Sequence, residues 1–480
     1  MSKAVIFVVL LSIFSSCQAC TKSGESKNGV NTSVAVIVDN SPVTVHETRV
    51  SMWPTNDYYD GEQRPIAETE TAYFTIFDYK EGQTVNIKIA EGEDSRDCIV
   101  RPSSLGIKVS VGKKGNITLR GIPGPCQFVV ETGDYHHAIH FFVNPPDLFP
   151  EIDKDSQDVV YFGPGNHSVP DGIKLKSGQT LFIDEGAIVS SYVYAANASD
   201  IKIVGKGILD CSKFSREDCY PIKVEASRNV LISGIVVNDP TQWTAIIANC
   251  SDVEFDNVKV IGCWRYNSDG FDICNTSNVL IHNCFLRCFD DNIAIKGLSP
   301  FYRDGYNIIE NIEVKNCVLW NDWGQGLEIG AETVADEIRN VTFDSCHIIH
   351  FTFNAMDIQN VDKAYVHDIH LRNIYVEEPI YQNATLSGDS ISPDAFGGLI
   401  NIVINKSMWS TVETCGKVRD ITYENIYYTG EKEPRICFLG YSDESDVKNI
   451  TIKNCQINGK AIDQKYNCIR NNYASDINIE

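Results

Sequence analysis

Apolar and polar residues alternate with period two along most of the chain, in short runs broken by Asn, Asp and Gly. That alternation predicts short, half-buried β-strands; an amphipathic helix would space its apolar residues by 3.6. Two regions differ in how the strands are arranged. In the first, Val34-Ala35-Val36-Ile37-Val38, Ala72-Tyr73-Phe74-Thr75-Ile76-Phe77 and Val85-Asn86-Ile87-Lys88-Ile89 are unlike one another and separated by Asp- and Gly-containing turns. This spacing predicts a small β-sandwich over residues 20–147, closed by Asn144-Pro145-Pro146, where two prolines interrupt strand pairing.

In the second region, residues 148–480, the strands repeat. Asn229-Val230-Leu231-Ile232-Ser233-Gly234, Asp252-Val253-Glu254-Phe255-Asp256-Asn257 and Asn278-Val279-Leu280-Ile281-His282-Asn283 share one pattern. It returns at Asn311, Asn340, Asp368, Asp420 and Asn449, at irregular intervals with a longer gap around residues 376–418. A repeat built only of strands and turns is a solenoid in which each coil buries its inner face against its neighbours. The fold expected is all-β: a right-handed parallel β-helix preceded by a β-sandwich. The recurring Asn is expected to bond the backbone of the adjacent coil. The recurring Cys of Asn283-Cys284, Asn316-Cys317 and Asn454-Cys455 is expected to pack as a buried, stacked, unpaired thiol.

Composition narrows the partners. A net charge of −23 opposes encounter with nucleic acid and anionic membranes, and counts mildly against a polyanionic substrate. Residues 1–19 read as an export signal: Lys3, an apolar run from Ala4 to Phe14, and the small-x-small site Cys17-Gln18-Ala19. Phe14-Ser15-Ser16-Cys17 also permits a lipid anchor at Cys17. The expected location is extracellular, with no membrane span. Export permits disulfides, and Cys98 with Cys126 and Cys211 with Cys219 are near enough in sequence for local bridges. Ten Asn-x-Ser/Thr sites, Asn116, Asn197 and Asn340 among them, are potential glycan acceptors.

The candidate chemistry sits in three neighbouring coils. They contain Asn267-Ser268-Asp269, then Asp290-Asp291-Asn292, then Trp320-Asn321-Asp322-Trp323-Gly324-Gln325-Gly326. Coils stack about 4.8 Å apart, so Asp269 and Asp290, separated by 21 residues, are expected on one wall. Consecutive strand residues point to opposite faces, so Asp290 and Asp291 share a cleft only where the chain bends. Carboxylates crowded this way repel, and one should keep its proton near neutrality. One protonated and one ionised carboxyl is what glycoside hydrolysis needs. The alternative is that these are turn residues that cap coils or hold a structural cation.

At these residues the chain resembles glycoside hydrolase family 28, the polygalacturonases. The family pattern is Asn-Thr-Asp, Asp-Asp, Gly-His-Gly and Arg-Ile-Lys. Asn267-Ser268-Asp269 and Asp290-Asp291 match the first two, and Asn292-Ile293-Ala294-Ile295-Lys296 continues the likeness. The resemblance implies an inverting hydrolase with Asp290 as general acid and Asp269 and Asp291 positioning the water. A sandwich ahead of the β-helix is similar to the layout of family 49 dextranases. Two departures stand out: Gln325 replaces the His, and Ala355-Met356-Asp357-Ile358-Gln359 stands where Arg-Ile-Lys belongs. Loss of that basic pair argues against galacturonan. Candidate substrate contacts are Asn267, Gln325, Lys296, Trp264, Arg265, Trp323, Glu332 and Asp357. The partner expected is a polysaccharide or oligosaccharide, met by a monomer without metal or organic cofactor. Two other readings are a polysaccharide lyase, with Asp269, Asp272, Asp290 and Asp291 caging calcium, and a carbohydrate-binding β-helix without activity.

Overall fold

The computed structural model describes residues 34–480, except 53–65, 90–97, 113–114, 150–151, 303–306, 381–384, 387–388 and 391–396. The expected export signal and Cys17 lie outside the described residues. Strand alternation governs the N-terminal region. In Val34–Val38 the side chains of Val34 and Val36 are buried and Ala35 is exposed; in Val85–Ile89 the first, third and fifth are buried. Two five-stranded sheets result, one built on Val34–Val38 and Val85–Ile89, the other on Thr69–Asp78 and Asp134–Asn144. Their facing sides enclose Val34, Val36, Ile87, Ile117, Phe128 and Phe141. This is the sandwich-like arrangement that the alternation predicts.

The rest of the chain winds into a right-handed parallel β-helix. Each coil supplies three short strands: the first two add to a 22-stranded sheet and the third to an 11-stranded sheet. One coil is Ser251–Asp256, Lys259–Ile261 and Phe271–Cys274; the next is Ser277–His282, Phe285–Cys288 and Ile293–Gly297. Inward residues stack in register, Val253 on Val279 on Ile312 on Val341, and form one continuous core. The long gap is an excursion: Ile369 pairs directly with Ile421, although more than fifty residues separate them in the chain.

The recurring Asn does more than the sequence suggested. Asn278, Asn311 and Asn340 all have φ between 50° and 59°, the left-handed region that Asn tolerates better than other side chains. Their amides bond one another rather than backbone: Asn311 Nδ2 donates to Asn278 Oδ1 (2.9 Å) and Asn340 Nδ2 to Asn311 Oδ1 (2.6 Å). A second column joins Asn373, Asn425 and Asn454 in the same way. Cys284, Cys317 and Cys346 are fully buried, and each thiol donates to the carbonyl two residues earlier.

Neither local disulfide forms; Cys98, Cys126, Cys211 and Cys219 are free thiols. Cys98 lies opposite Thr132 across its strand pair, and Cys126 is six residues further along that strand, roughly 20 Å away. That is far beyond the reach of a disulfide. Cys211 donates instead to Ser191 O at 3.4 Å, and Cys219 approaches Thr241 Oγ1.

The second sheet of the N-terminal domain covers the second strands of the coils from Ile208 to Ile349. Phe74, Val129 and Phe142 meet Ile208, Val236, Ile261, Phe285, Val318 and Trp320 in one apolar layer. Buried polar groups interrupt it: Glu131 bonds Arg101 (3.1 Å) and His350 (2.6 Å), and Lys259 Nζ donates to Asn144 Oδ1 (2.6 Å). The cleft opens beside the third strands Phe271–Cys274, Ile293–Gly297 and Leu327–Thr333.

Candidate active site

Register places the acidic residues. Phe271, Ile293, Leu327 and Met356 are partners in successive third strands. Two residues before each stand Asp269, Asp291, Gln325 and Asn354. Backbone bonds confirm the column: Gly270 N to Asp291 O (2.8 Å), Asn292 N to Gln325 O (2.9 Å) and Gly326 N to Asn354 O (2.9 Å). Asp269 therefore sits beside Asp291, not beside Asp290 as the 21-residue interval suggested. Asp290 lies one position earlier, in a bend where the amides of Phe289 and Asp290 both donate to Ser268 O. The bend turns both Asp side chains to one side: a Cβ on Gly324 would lie 2.5 Å from Oδ1 of each. Glycine is the residue this close approach permits.

A second column runs along the outer face of the same sheet. Phe271, Ile273, Ile293, Ile295, Leu327 and Ile329 fill the core, so the residues between them face outward. Asp272, Ala294, Glu328, Asp357 and Asn401 follow one another in register. Lys296, the next outward residue after Ala294, lies among the carboxylates. Its Nζ is 3.0 Å from Asp272 Oδ1, 3.3 Å from Asp269 Oδ2 and 3.9 Å from Asp291 Oδ2, with the Trp243 ring 4.1 Å away.

The cleft encloses about 260 Å³. Carboxylates outnumber cations in it, and burial sets their protonation. Burial, then the neighbouring Asp291 charge, pushes the Asp290 carboxyl up to about 8. Burial and Asp272 raise Asp269, which Lys296 opposes. Asp272 is pushed up to about 6 by burial against the pull of Lys296. Glu328 is raised by burial and by Asp291 and Asp357, and Asp357 is pushed up to about 7 by burial despite a bond from Asn401 Nδ2 (2.6 Å). The site holds protons that free carboxylates would release.

Of the residues singled out in the sequence, Asp269, Asp290, Asp291, Asn267, Gln325, Lys296, Trp323 and Glu332 line the cleft. Asp357 is 3% exposed and lies beneath it, beside Glu328. Trp264 and Arg265 are not cleft residues. Trp264 Nε1 donates to Asp239 Oδ1 (2.8 Å), and Arg265 bonds Asp239 Oδ1 and Pro240 O, so both anchor the turn to the coil before. Adjacency to a motif carries no information about which way a side chain turns, hence the misplacement. Gln325 Oε1 accepts from Asn354 N (2.9 Å) and Nδ2 (3.0 Å), which fixes its side chain at the cleft wall. Sequence reasoning missed Phe353, Met408 and Trp409, which complete the apolar wall. Trp409 is 44% exposed and Met408 78%. A Trp within the polar loop Ser407-Met408-Trp409-Ser410 was the available signal.

Among the described residues no group of three His, Cys, Asp or Glu side chains is disposed to hold a metal ion. The Lys296 ammonium lies among Asp269, Asp272 and Asp291, three of the four carboxylates of the calcium cage that the lyase reading would need. No helix among them is long and apolar enough to cross a membrane.

A parallel β-helix with crowded, proton-holding carboxylates under an aromatic wall defines a carbohydrate-active β-helix protein. Residues 207–475 match the glycosyl hydrolases family 28, and the chain belongs to that family. It is 22% identical over 314 residues to the "Probable exopolygalacturonase X" of Aspergillus terreus, covering 57% of this chain and 66% of that protein. It is 22% identical over 316 residues to the "Exopolygalacturonase" of Cochliobolus carbonum, covering 57% and 64%. The matched part thus spans just under two thirds of each relative's length. Dex49A from Penicillium minioluteum shares the fold, with a TM-score of 0.66 and 14% identity over 93% of this chain and 94% of that one.

Proposed function

We propose that this protein is an extracellular, inverting glycoside hydrolase acting on a polysaccharide. Asp290 gives its proton to the glycosidic oxygen as the bond to the anomeric carbon breaks. A water held between Asp269 and Asp291 attacks that carbon from the opposite face and loses its proton to Asp291. The observation that carries this reading is the convergence of Asp290 and Asp291 on one side of the bend, with Asp269 beside Asp291 in the next coil; burial and the Asp291 charge push the Asp290 carboxyl up to about 8, which suits it to the acid role. Asp291 is suited to the base role because its Oδ1 accepts the Gln325 N–H at 2.8 Å and its Oδ2 faces Lys296.

The substrate differs from galacturonan in this reading. Among the described residues Lys296 is the cation that lines the cleft; it is buried and held by three carboxylates, so it is not free to meet a uronate. Asp357 and Gln359 stand where the family's basic pair would meet it. Trp243 and the 44% exposed Trp409 offer apolar surface for the rings of a neutral sugar, beside the buried Tyr266 and Trp323 of the same lining.

Reducing-sugar release from a panel of neutral and uronic polysaccharides tests both parts. Asp290→Asn should lower release on the order of 10²- to 10⁴-fold. Equal release by the variant would remove Asp290 from the acid role, and release from galacturonan alone would remove the neutral-sugar assignment.

A further inference from the structure

The family's imidazole is absent at position 325, and the Gln325 carbonyl that stands there is turned to Asn354. Among the described hydrogen bonds, the Gln325 side chain gives none to a cleft carboxylate. Asp291 Oδ1 is served by the backbone, and its Oδ2 has Lys296 only at 3.9 Å. A side-chain donor to Asp291 must come from elsewhere.

Glu328 is placed to supply it. It lies on Leu327–Thr333, pointing outward because Leu327 and Ile329 fill the core on either side. Its coil neighbour is Ala294, and its carboxyl lies within hydrogen-bond reach of the Asp291 side chain. Glu328 is 2% exposed, and its Oε2 is buried with no donor. An ionised carboxylate left so would cost several kcal/mol of lost solvation, whereas a protonated one carries an O–H that needs an acceptor. The groups facing it are Asp291 and Asp357, which favour its proton, and Lys296, which opposes it. Asp269, Asp272, Asp290 and Glu332 are the other titratable carboxyls around the same cleft.

We propose that Glu328 is a positioning residue: its protonated carboxyl donates a hydrogen bond to the Asp291 carboxylate and aims it at the water. A carboxyl–carboxylate pair thereby does what an imidazole donor would do. The proposal rests on the reading of Asp291 as the base.

Two measurements test it. The first needs no substrate. Infrared difference spectra of wild type against Glu328→Gln at neutral pH should show a protonated-carboxyl carbonyl band present in the wild type and lost in the variant. Absence of that band would overturn the proposal. The second compares Glu328→Gln, which keeps an N–H donor, with the isosteric Glu328→Met, which has none. On whichever polysaccharide the wild type cleaves, kcat should fall on the order of 10- to 100-fold in Glu328→Met, the effect of one hydrogen bond to a charged group, with KM little changed. Glu328→Gln should recover most of that loss. Equal kcat in both variants would overturn the positioning role. Retained activity in Asp290→Asn would instead remove Asp290 from the acid role, and would leave the infrared result standing.

Discussion

Asp290, Asp357 and Glu328 have one thing in common: each is a carboxyl whose proton the fold retains. For Asp357 this has a thermodynamic sign. Its folded value, about 7, lies above the unfolded 3.8, so the native state binds the proton more tightly. The stabilisation is complete below about pH 4 and is lost as pH rises through about 7. Thermal denaturation of wild type against Asp357→Asn isolates it: the difference in Tm should move in the variant's favour between about pH 4 and 8. A constant difference across that range would show that Asp357 is ionised throughout. Asp290 gives the kinetic counterpart. The acid form is present below about 8, so kcat should decline on the alkaline side of that value. Trp409 belongs at this scale too. Trp409→Ala should raise KM about tenfold with kcat little altered, as expected for loss of one ring stacked on a sugar.

At the scale of the element, the coil is the unit, and the Asn columns hold its corners. Asn311 accepts from Asn340 and donates to Asn278, with φ at 59°. Asn311→Ala should cost about 1–3 kcal/mol in denaturant unfolding, from lost amide bonds and a β-carbon forced into left-handed backbone. Coils were legible in the sequence because alternation and turn-forming Asn are local properties. The exact register was not. Coil length depends on how each turn counts its residues, and a one-residue difference exchanges Asp290 for Asp291 beside Asp269. The Asp motif was legible because its residues recur one coil apart. Trp409 was not, since it reaches the cleft from a loop more than a hundred residues downstream, outside the repeat. Trp264 and Arg265 lie next to the motif, yet Asp239 draws them into the turn.

At the scale of the whole molecule, the N-terminal domain is bound to the β-helix by more than an apolar layer. Glu131, on the domain's second sheet, is 6% exposed and joins Arg101 to His350 of the β-helix. Those partners hold its carboxyl down at about 2. Glu131→Ala would strand a buried imidazole and loosen Arg101, which keeps Glu377 (2.7 Å). Removing one member of such a buried set costs about 3–5 kcal/mol. A loss of that size, read from the denaturant midpoint, would show that the two parts unfold together. A separate early transition would show that the interface can part while the coils persist.

The stacked thiols turn the molecule into its own recorder of opening. Cys284, Cys317 and Cys346 lie in the core of successive coils and Cys455 three coils further along the same column, while Cys98, Cys126, Cys415 and Cys468 are partly exposed. An alkylating reagent meets the second group directly, but reaches the first only when a coil opens, at a rate set by the free energy of that opening. The order in which the buried cysteines gain mass would therefore show from which end of the column the β-helix unwinds.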